Sequence, residues 1–593
     1  MMKHLRPAIL LVLLYLPAQV MAQGLPYHVA YAGADESLSH DLQAVSLLDA
    51  LKANPPDTEA GLHRLAQQDI TLFTDLLNAH GYFSNKVTYT LDMQQTPANI
   101  VFHIITGPVY TLQGYQTHWS GPGAQATQAY QQHQQAAEKL TIPLGKNLQE
   151  DMLQKTEQQI LALAMQNGHP FPEVIKRTLA LNHTTHTANV TLWIDTGPQA
   201  VFGTTHITGI ESVDDGYIKR RIDWVEGAPF DLRKVTDSQQ TLSRTSVINT
   251  ARVSYDKNEL SADGHLPMNV ALKEGDRRSI GVGAFVSSSA GPYGQVFWEH
   301  RNMFGNAENL RIKADLGTER RGLTFDLTKP DLFNSRQYSL QLSAANLAEK
   351  LEAYDRKTTS AAAALKWQIT NHIVLTGGGN FESTRITEAD KTGDTFTLSS
   401  FPMSARYDNT DDFFNPTRGL RLLLALTPTQ SLESNLHFLT TDATASMYLP
   451  ITKSLVWANR GRVATIGGAN LASIPADKRL YAGGSGSVRG YAYQLLGPLD
   501  ATNKPTGGRF LTELATEARY RFTDTIGGVA FFEGARLTQN RNVSGSEPFR
   551  WSAGLGARYQ TPIGPVRFDI AVPLDKRPVD DSFQFYISLG HAF

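Results

Sequence analysis

The sequence of 593 residues contains no cysteine. Without a thiol, the chain can form no disulfide, no thiolate zinc site, no iron–sulfur cluster and no cysteine nucleophile. The sequence also lacks an excess of either charge, because 54 Lys and Arg residues stand against 56 Asp and Glu residues. A dedicated nucleic-acid binder needs a basic surface, so this balance disfavours nucleic acid as a partner.

Long apolar runs are missing beyond the N-terminus, where no stretch of about 18 apolar residues occurs. A chain that enters a membrane without such helices must do so as a closed barrel, since every backbone polar group in lipid needs a partner. At the N-terminus, Lys3 and Arg6 precede the apolar run 8–16, and the small residue Ala22 follows. This order predicts a secretory signal peptide over 1–22. The alternative, an N-terminal anchor, would have only nine apolar residues for a layer of ~30 Å.

No catalytic set is apparent. Residues 484–490 are rich in glycine and serine but have neither the spacing and lysine of a phosphate-binding loop nor the G-x-S-x-G pattern of a nucleophile elbow. The 17 histidines are scattered, and His183 with His186 lies in a polar stretch that favours a solvated turn over a metal site. The sequence therefore predicts no enzyme, no cofactor and no metal site.

A short sequence pattern recurs in the N-terminal half. Residues 100–108 and 190–198 are alternating strands that end in Gly-Pro, and 268–275 is a weaker third copy. A helical pattern and another strand precede each copy. Repetition at a nearly constant period predicts one small β-α-α-β-β unit used three times, over 23–107, 108–198 and 199–275. The alternative is a single large α+β domain.

From 276 to 593 the helical period disappears and sixteen alternating segments follow. Segments of this length and even number are typical of an antiparallel transmembrane β-barrel, whereas the alternative is a large soluble β-sandwich or propeller. In the segment from Gly564, three apolar residues from Phe568 to Val572 share one face, and Arg567 and Asp569 share the other. The segments start near Arg278, Pro292, Glu308, Gly322, Arg336, Arg356, His372, Thr392, Gly419, Ser434, Thr452, Leu511, Thr525, Phe549, Gly564 and Ser582.

One connection, about 467–510, is far longer than an ordinary hairpin loop. Its centre contains Val488, Arg489, Gly490 and Tyr491. A guanidinium fork prefers a bidentate carboxylate, and alternation turns Glu517 and Glu533 towards the lumen. We therefore expect the loop to fold into the barrel with Arg489 held by Glu517 or Glu533. An exposed, mobile Gly-rich loop is the alternative.

These residues resemble a known family. Val488 to Tyr491 is similar to the VRGY/F motif in the sixth extracellular loop of the superfamily of outer-membrane assembly and two-partner secretion proteins. Further likenesses lie at 301–305 (RNMFG), 408–419 (ending NPTRG) and 561–565 (TPIGP). Residues 531–535 (FFEGA) depart from the family's FxDxG phrase, which leaves open whether Glu533 or Glu517 is the partner of Arg489.

The resemblance implies an organisation as well. The repeats resemble polypeptide-transport-associated (POTRA) domains, and three of them before a sixteen-strand barrel are most similar to the TamA family, the outer-membrane subunits of the translocation and assembly module. The implied location is the bacterial outer membrane, with the N-terminal domains in the periplasm. The implied partners are unfolded outer-membrane client proteins, a TamB-like periplasm-spanning protein and the lipid bilayer.

The implied function is the insertion of client β-barrel or autotransporter proteins by strand templating at a lateral seam between the first and last strands. The first strand is rich in Gly and Ser, including Gly281 and Gly283, so its pairing should be weak. Leu589 and Phe593 belong to the last strand. The alternative function is a two-partner secretion pore that exports one dedicated substrate through the lumen.

Overall fold

The computed structural model describes residues 24–136, 139–287, 291–388, 393–541, 547–561 and 565–589. The predicted signal peptide and Phe593 lie outside the described residues. The chain divides into two compact blocks, whose bounds differ from those of the three small units described below. The first takes in the described residues up to Thr205 with 224–235 and 255–268, and the second takes in 206–223, 236–254 and the chain from Asn269. No helix of the described residues is long and apolar enough to cross a membrane.

Three small sheets of three strands precede the barrel, each with the strand order first, third, second. This confirms the three predicted β-α-α-β-β units, with one additional short helix in the first. The first unit contains β1 (Tyr27–Ala32), α1 (Glu36–Val45), α2 (Leu47–Ala50), α3 (Glu59–Ala79), β2 (Lys86–Asp92) and β3 (Ala98–Ile105). The second contains β4 (Thr111–Ser120), α4 (Ala124–Ala136), α5 (Glu150–Met165), β5 (Glu173–Asn182) and β6 (Thr187–Asp195). The third contains β7 (Val201–Thr208), α6 (Asp215–Lys219), α7 (Leu232–Ser243), β8 (Ile248–Ser254) and β9 (His265–Glu274).

Alternation places one face of each small sheet against its helices. In β3, Ile100 and Phe102 are fully buried, and Phe73 of α3 packs edge-on against Phe102 with ring centroids 4.8 Å apart. The recurring Gly-Pro phrase has a steric cause. Gly107 and Gly197 both have positive φ, and a Cβ would lie 2.9 Å and 2.4 Å from a backbone oxygen. Only glycine fits these two turns.

The C-terminal part forms one antiparallel sheet in which each strand pairs with its sequence neighbours. In the part of the chain that the structure describes, seventeen strands occupy sixteen positions, because β17 and β18 both lie between β16 and β19 and are separated only by Phe401 and Pro402. The predicted count of sixteen is therefore confirmed. The strands are β10 (Arg278–Ser287), β11 (Gly291–His300), β12 (Asn309–Gly317), β13 (Arg320–Lys329), β14 (Tyr338–Lys350), β15 (Asp355–Gln368), β16 (Ile373–Thr387), β17 (Asp394–Ser400), β18 (Met403–Asp408), β19 (Gly419–Ser431), β20 (His437–Pro450), β21 (Leu455–Gly467), β22 (Phe510–Arg521), β23 (Ile526–Thr538), β24 (Arg550–Tyr559), β25 (Val566–Pro573) and β26 (Gln584–Leu589).

The two faces of this sheet differ as alternation predicts. In β25, Phe568 and Ile570 are about half exposed, whereas Arg567 and Asp569 are buried. The same contrast holds in β26, where Phe585 and Ile587 are exposed and Tyr586 is buried. In these two strands, large apolar side chains thus cover the outer face, and the charged side chains of β25 lie on the inner face.

The edge strands β10 and β26 approach each other without a ladder. Cα atoms of the two strands come within 8 Å. Among the described residues, however, β10 pairs only with β11 and β26 only with β25. Among the described residues, no strand ladder therefore joins the first and last strands. Both edges keep backbone N–H and C=O groups available to a further strand.

Candidate functional site

The long connection, 468–509, folds against the inner face of the sheet. Three antiparallel bridges, Leu480 to Gly508, Ala482 to Leu496 and Leu499 to Pro505, give it internal structure. Its apolar side chains join inward residues of four strands in one buried cluster. The cluster contains Phe438, Ala464, Ile466, Ile474, Leu480, Ala482, Val488, Tyr491, Leu496, Leu511, Ala535 and Leu537. An exposed, mobile loop does not describe this segment.

The tip of the loop carries Arg489, whose side chain is fully buried. Its guanidinium donates hydrogen bonds to three carboxylates: to Glu517 at 2.5 Å, to Asp569 at 2.9 Å and to Glu533 at 3.0 Å. Its backbone N–H donates to Glu533 at 2.7 Å. The ring of Phe531 lies 3.4 Å from the guanidinium carbon, so the cation also stacks on an aromatic face.

Further arginines share these carboxylates. Arg519 pairs with Glu517 at 2.8 Å, and Arg558 pairs with Asp569 at 2.5 Å. Glu517 and Asp569 each pair with two arginines. Glu533 accepts hydrogen bonds from both the guanidinium and the backbone N–H of Arg489. A buried charge set of this kind tolerates the loss of one member poorly, because the remaining charges stay desolvated and uncompensated.

The residues next to Arg489 extend the contact to the last strand. Gly490 has φ of 98°, and a Cβ there would lie 3.0 Å from the Cβ of Ser552. The Gly490 N–H donates to the Tyr586 hydroxyl at 3.3 Å, and that hydroxyl donates to the Tyr491 carbonyl at 3.2 Å. The Tyr491 hydroxyl also donates to the Trp551 carbonyl at 3.2 Å. The motif thus forms hydrogen bonds with all five strands from β22 to β26. Among the described residues, no hydrogen bond joins the loop to β10.

The structure brings Arg489 together with both Glu517 and Glu533, which the sequence offered as alternatives. Sequence reasoning missed the third acid, Asp569. Alternation did place Asp569 on the inner face. However, 80 residues separate it from Arg489, and no local sequence pattern indicates that the two residues lie at the same level along the barrel axis. For Tyr586, the sequence indicated only that its side chain lies on the inner face.

The two glycines of the seam, Gly281 and Gly283, both lie on the inner face of β10. Ile280 and Val282 are 76% and 80% exposed, so Gly281 and Gly283 face inward. The ring of Phe297, opposite Gly281 across the strand pair, fills the space above this glycine, because an added Cβ would lie 2.2 Å from it. Leu589 is the last residue of β26. Phe593 lies outside the described residues.

A second charged cluster joins the third unit to the sheet. Arg221 donates two hydrogen bonds to Asp331, at 2.8 and 3.0 Å, and Arg220 donates a third at 2.8 Å. Asp331 lies in the turn between β13 and β14. Burial alone would raise the pKa of Asp331, but the two guanidinium groups hold it below the usual range. Arg336 in the same turn pairs with Asp223 at 2.8 Å.

Comparison with known proteins agrees with this geometry. Residues 302–593 match the model of the Omp85 superfamily domain. The chain carries an Omp85 barrel. The outer-membrane assembly factor BamA of Neisseria meningitidis is 22% identical over 89% of this chain and 72% of its own length. BamA of Nitratidesulfovibrio vulgaris is 21% identical over 75% of this chain, which spans only 57% of that relative.

A solved structure supports the fold of the Omp85 barrel and its preceding domains. BamA of Haemophilus ducreyi lacking POTRA domains 1–3 superposes with a TM-score of 0.62 at 18% identity, covering 80% of this chain and 99% of that one. The predicted location is confirmed: the Omp85 barrel lies in the outer membrane, and the three N-terminal units lie in the periplasm. The turns at 301–308 and 330–336, which contact the third unit through Asn302 and Asp331, therefore mark the periplasmic end of the barrel.

Proposed function

We propose that this protein inserts client β-barrel or autotransporter proteins into the outer membrane by offering the edge of β10 or β26 as a template. The observation that carries the proposal is the seam, where two strand edges approach without a ladder among the described residues. An unpaired edge in a membrane receives a partner strand through main-chain bonds, which demand little of the client's sequence. The BamA relatives, named as assembly factors, support this reading.

The loop gives the two sides of the seam different support. Arg489 and Tyr491 form hydrogen bonds with β22, β23, β24 and β25, and Tyr586 brings β26 into the same network. The edge β10 has no such contact among the described residues, and it contains Gly281 and Gly283. We infer that β10 is the side that yields when a client strand enters, while the loop holds the opposite side.

The arrangement of domains supports a proposal for the remaining partners. Three POTRA-like units before the barrel are the TamA-like number, and we propose that they receive unfolded clients and a TamB-like periplasm-spanning protein. Each small sheet offers an edge strand, and strand addition at such edges is a known mode of peptide capture.

A disulfide across the seam tests the mechanism. The cysteines should replace Gly283 and Ser588, which both face inward. In proteoliposomes that contain the full chain, we expect the oxidised form to lose the insertion of a urea-denatured outer-membrane barrel protein and the reduced form to retain it. Cysteines at Gly283 and at the distant, exposed Thr523 serve as the unlinked control.

Full insertion by the oxidised protein, with the crosslink verified by mass spectrometry, would contradict templating at the seam. It would then favour the second candidate, a two-partner secretion pore. A pore makes a different prediction, since shortening the 468–509 loop should raise ion conductance through the lumen. An unchanged conductance would count against the pore.

A further inference from the structure

A row of basic residues crosses neighbouring strands of the barrel at the end away from the third unit. Arg321 of β13 lies opposite Ala348 of β14, Ala348 opposite Lys357 of β15, and Lys357 opposite Arg385 of β16. In the adjacent row, Lys350 lies opposite Asp355. Arg321, Lys350, Lys357 and Arg385, here called the rim cations, are all exposed.

The rim cations belong to the outer face of the sheet. Arg321 shares the parity of Leu323 and Phe325, which are 46% and 43% exposed. Arg385 shares the parity of Phe381, which is 50% exposed. Alternation therefore places the cations on the lipid side of the wall. On β13 the outward series passes directly from large apolar residues to Arg321, as at a boundary between hydrocarbon and headgroups.

A cavity of about 400 Å³ lies among these residues. Two further charged residues line it, Glu349 and Arg356, but they pair with each other and so compensate. The remaining lining charges are the four rim cations and a single carboxylate, Asp355. Among the described residues, no ion pair is formed by any of the rim cations. The cavity is therefore electropositive and open to an anion.

The spacing suits an anion the size of phosphate. Adjacent strands lie about 4.8 Å apart, so the backbones at Arg321 and Lys357 are about 10 Å apart with only the methyl group of Ala348 between them. Two long cationic side chains can close on a phosphate over that gap. Arginine adds a bidentate fork that matches phosphate oxygens, and lysine adds a point charge.

We propose that the rim cations bind the phosphorylated headgroup of a lipid in the outer leaflet, with its acyl chains lying along Leu323, Phe325 and Phe381. Free phosphate would satisfy the same cations, but the apolar band on the same face favours an anion that carries hydrocarbon. Basic pockets at membrane depth are a common means of holding anionic lipid headgroups. The inference uses the outer-membrane location and does not depend on client insertion.

Binding can be measured on the full chain in detergent, by native mass spectrometry and by titration with lipid A that carries two phosphates. We expect wild-type protein to bind this lipid, and lipid A without phosphates to bind at least about tenfold more weakly. The triple variant Arg321→Gln, Lys357→Gln, Arg385→Gln should show a similar loss. Inorganic phosphate, added at the same concentration as the lipid, should not displace it.

Lys329→Gln is the matched control, because Lys329 lies on the same strand and the same face as Arg321 but at the opposite end of the strand. The affinity of this variant for lipid A should equal that of the wild-type protein. Heat-modifiable migration on gels verifies that each variant is folded. If the triple variant is unfolded, the single variants at Arg321 and Lys357 should each lower affinity several-fold. Equal affinity for both forms of lipid A, wild-type affinity in the folded variants, or displacement by equimolar phosphate would overturn the proposal.

Discussion

At the scale of single residues, Arg489 has the least replaceable side chain. It is fully buried among Glu517, Glu533 and Asp569, and no other loop residue reaches all three. An isolated ionised carboxylate inside a protein is strongly disfavoured. The guanidinium therefore offsets the free-energy cost of burying the carboxylates, and the carboxylates offset the cost of burying the guanidinium.

Arg489→Ala should lower the free energy of unfolding by about 3–5 kcal/mol, because it strands buried carboxylates. Arg489→Lys should recover only part of this loss, since an ammonium cannot reach three acids at once. The measurement is the temperature at which heat-modifiable migration is lost. Lys504→Ala is the control, because the Lys504–Glu352 pair is half exposed and contributes about 0–1 kcal/mol. Equal midpoints for Arg489→Ala and wild type would exclude a stabilising role.

Gly490 and Gly486 offer a matched pair in one loop. Gly490→Ala forces an L-residue into a left-handed conformation, which costs about 1–2 kcal/mol, and brings its Cβ against Ser552. At Gly486 a Cβ would meet nothing within 4 Å. We expect Gly490→Ala to lower the unfolding midpoint and Gly486→Ala to leave it unchanged. A similar shift in both variants would point to loop flexibility rather than to the conformation at Gly490.

At the scale of elements, the segment that leads into α6 depends on one carboxylate. The N–H groups of Glu211, Ser212 and Val213 all donate to Glu274 at 2.8–2.9 Å, and the Ser212 hydroxyl donates at 2.5 Å. Burial alone would raise the pKa of Glu274, but these hydrogen bonds lower it to about 2. The segment also carries Ser212, which accepts hydrogen bonds from Asn302 of the barrel.

This lowered pKa predicts how the segment responds to acid. Because the folded-state pKa lies below the ordinary value of 4.5, the stabilisation is complete above about pH 4.5 and is lost as the pH falls towards about 2. Hydrogen exchange at the amides of 211–213, taken relative to the intrinsic rate at each pH, should accelerate as the pH falls through that window. In Glu274→Gln this relative exchange should be faster at pH 7 and nearly constant across the window. A wild-type profile as flat as that of the variant would contradict the assignment.

At the scale of the whole molecule, the sequence predicted what local rules determine. Period-2 alternation placed Glu517, Glu533 and Asp569 on the inner face, and repetition separated the three small units from the barrel. Two features followed from long-range contacts instead. The meeting of Asp569 with Arg489 depends on the relative height of strands 80 residues apart in sequence, and the open seam depends on how well the first and last strands fit. Local sequence patterns determine neither the axial alignment of distant strands nor the fit between the first and last strands.

The acids around Arg489 also have a consequence for how this wall is built. They come from three strands, and a slip of one residue in β23 would turn Glu533 to the lipid, whereas a slip of two would move it by about 7 Å. The guanidinium can be neutralised only when all three strands have arrived in the correct alignment. Burial of the loop tip would thus act as a proofreading step, in which a misaligned barrel keeps a costly unpaired charge and stays free to rearrange.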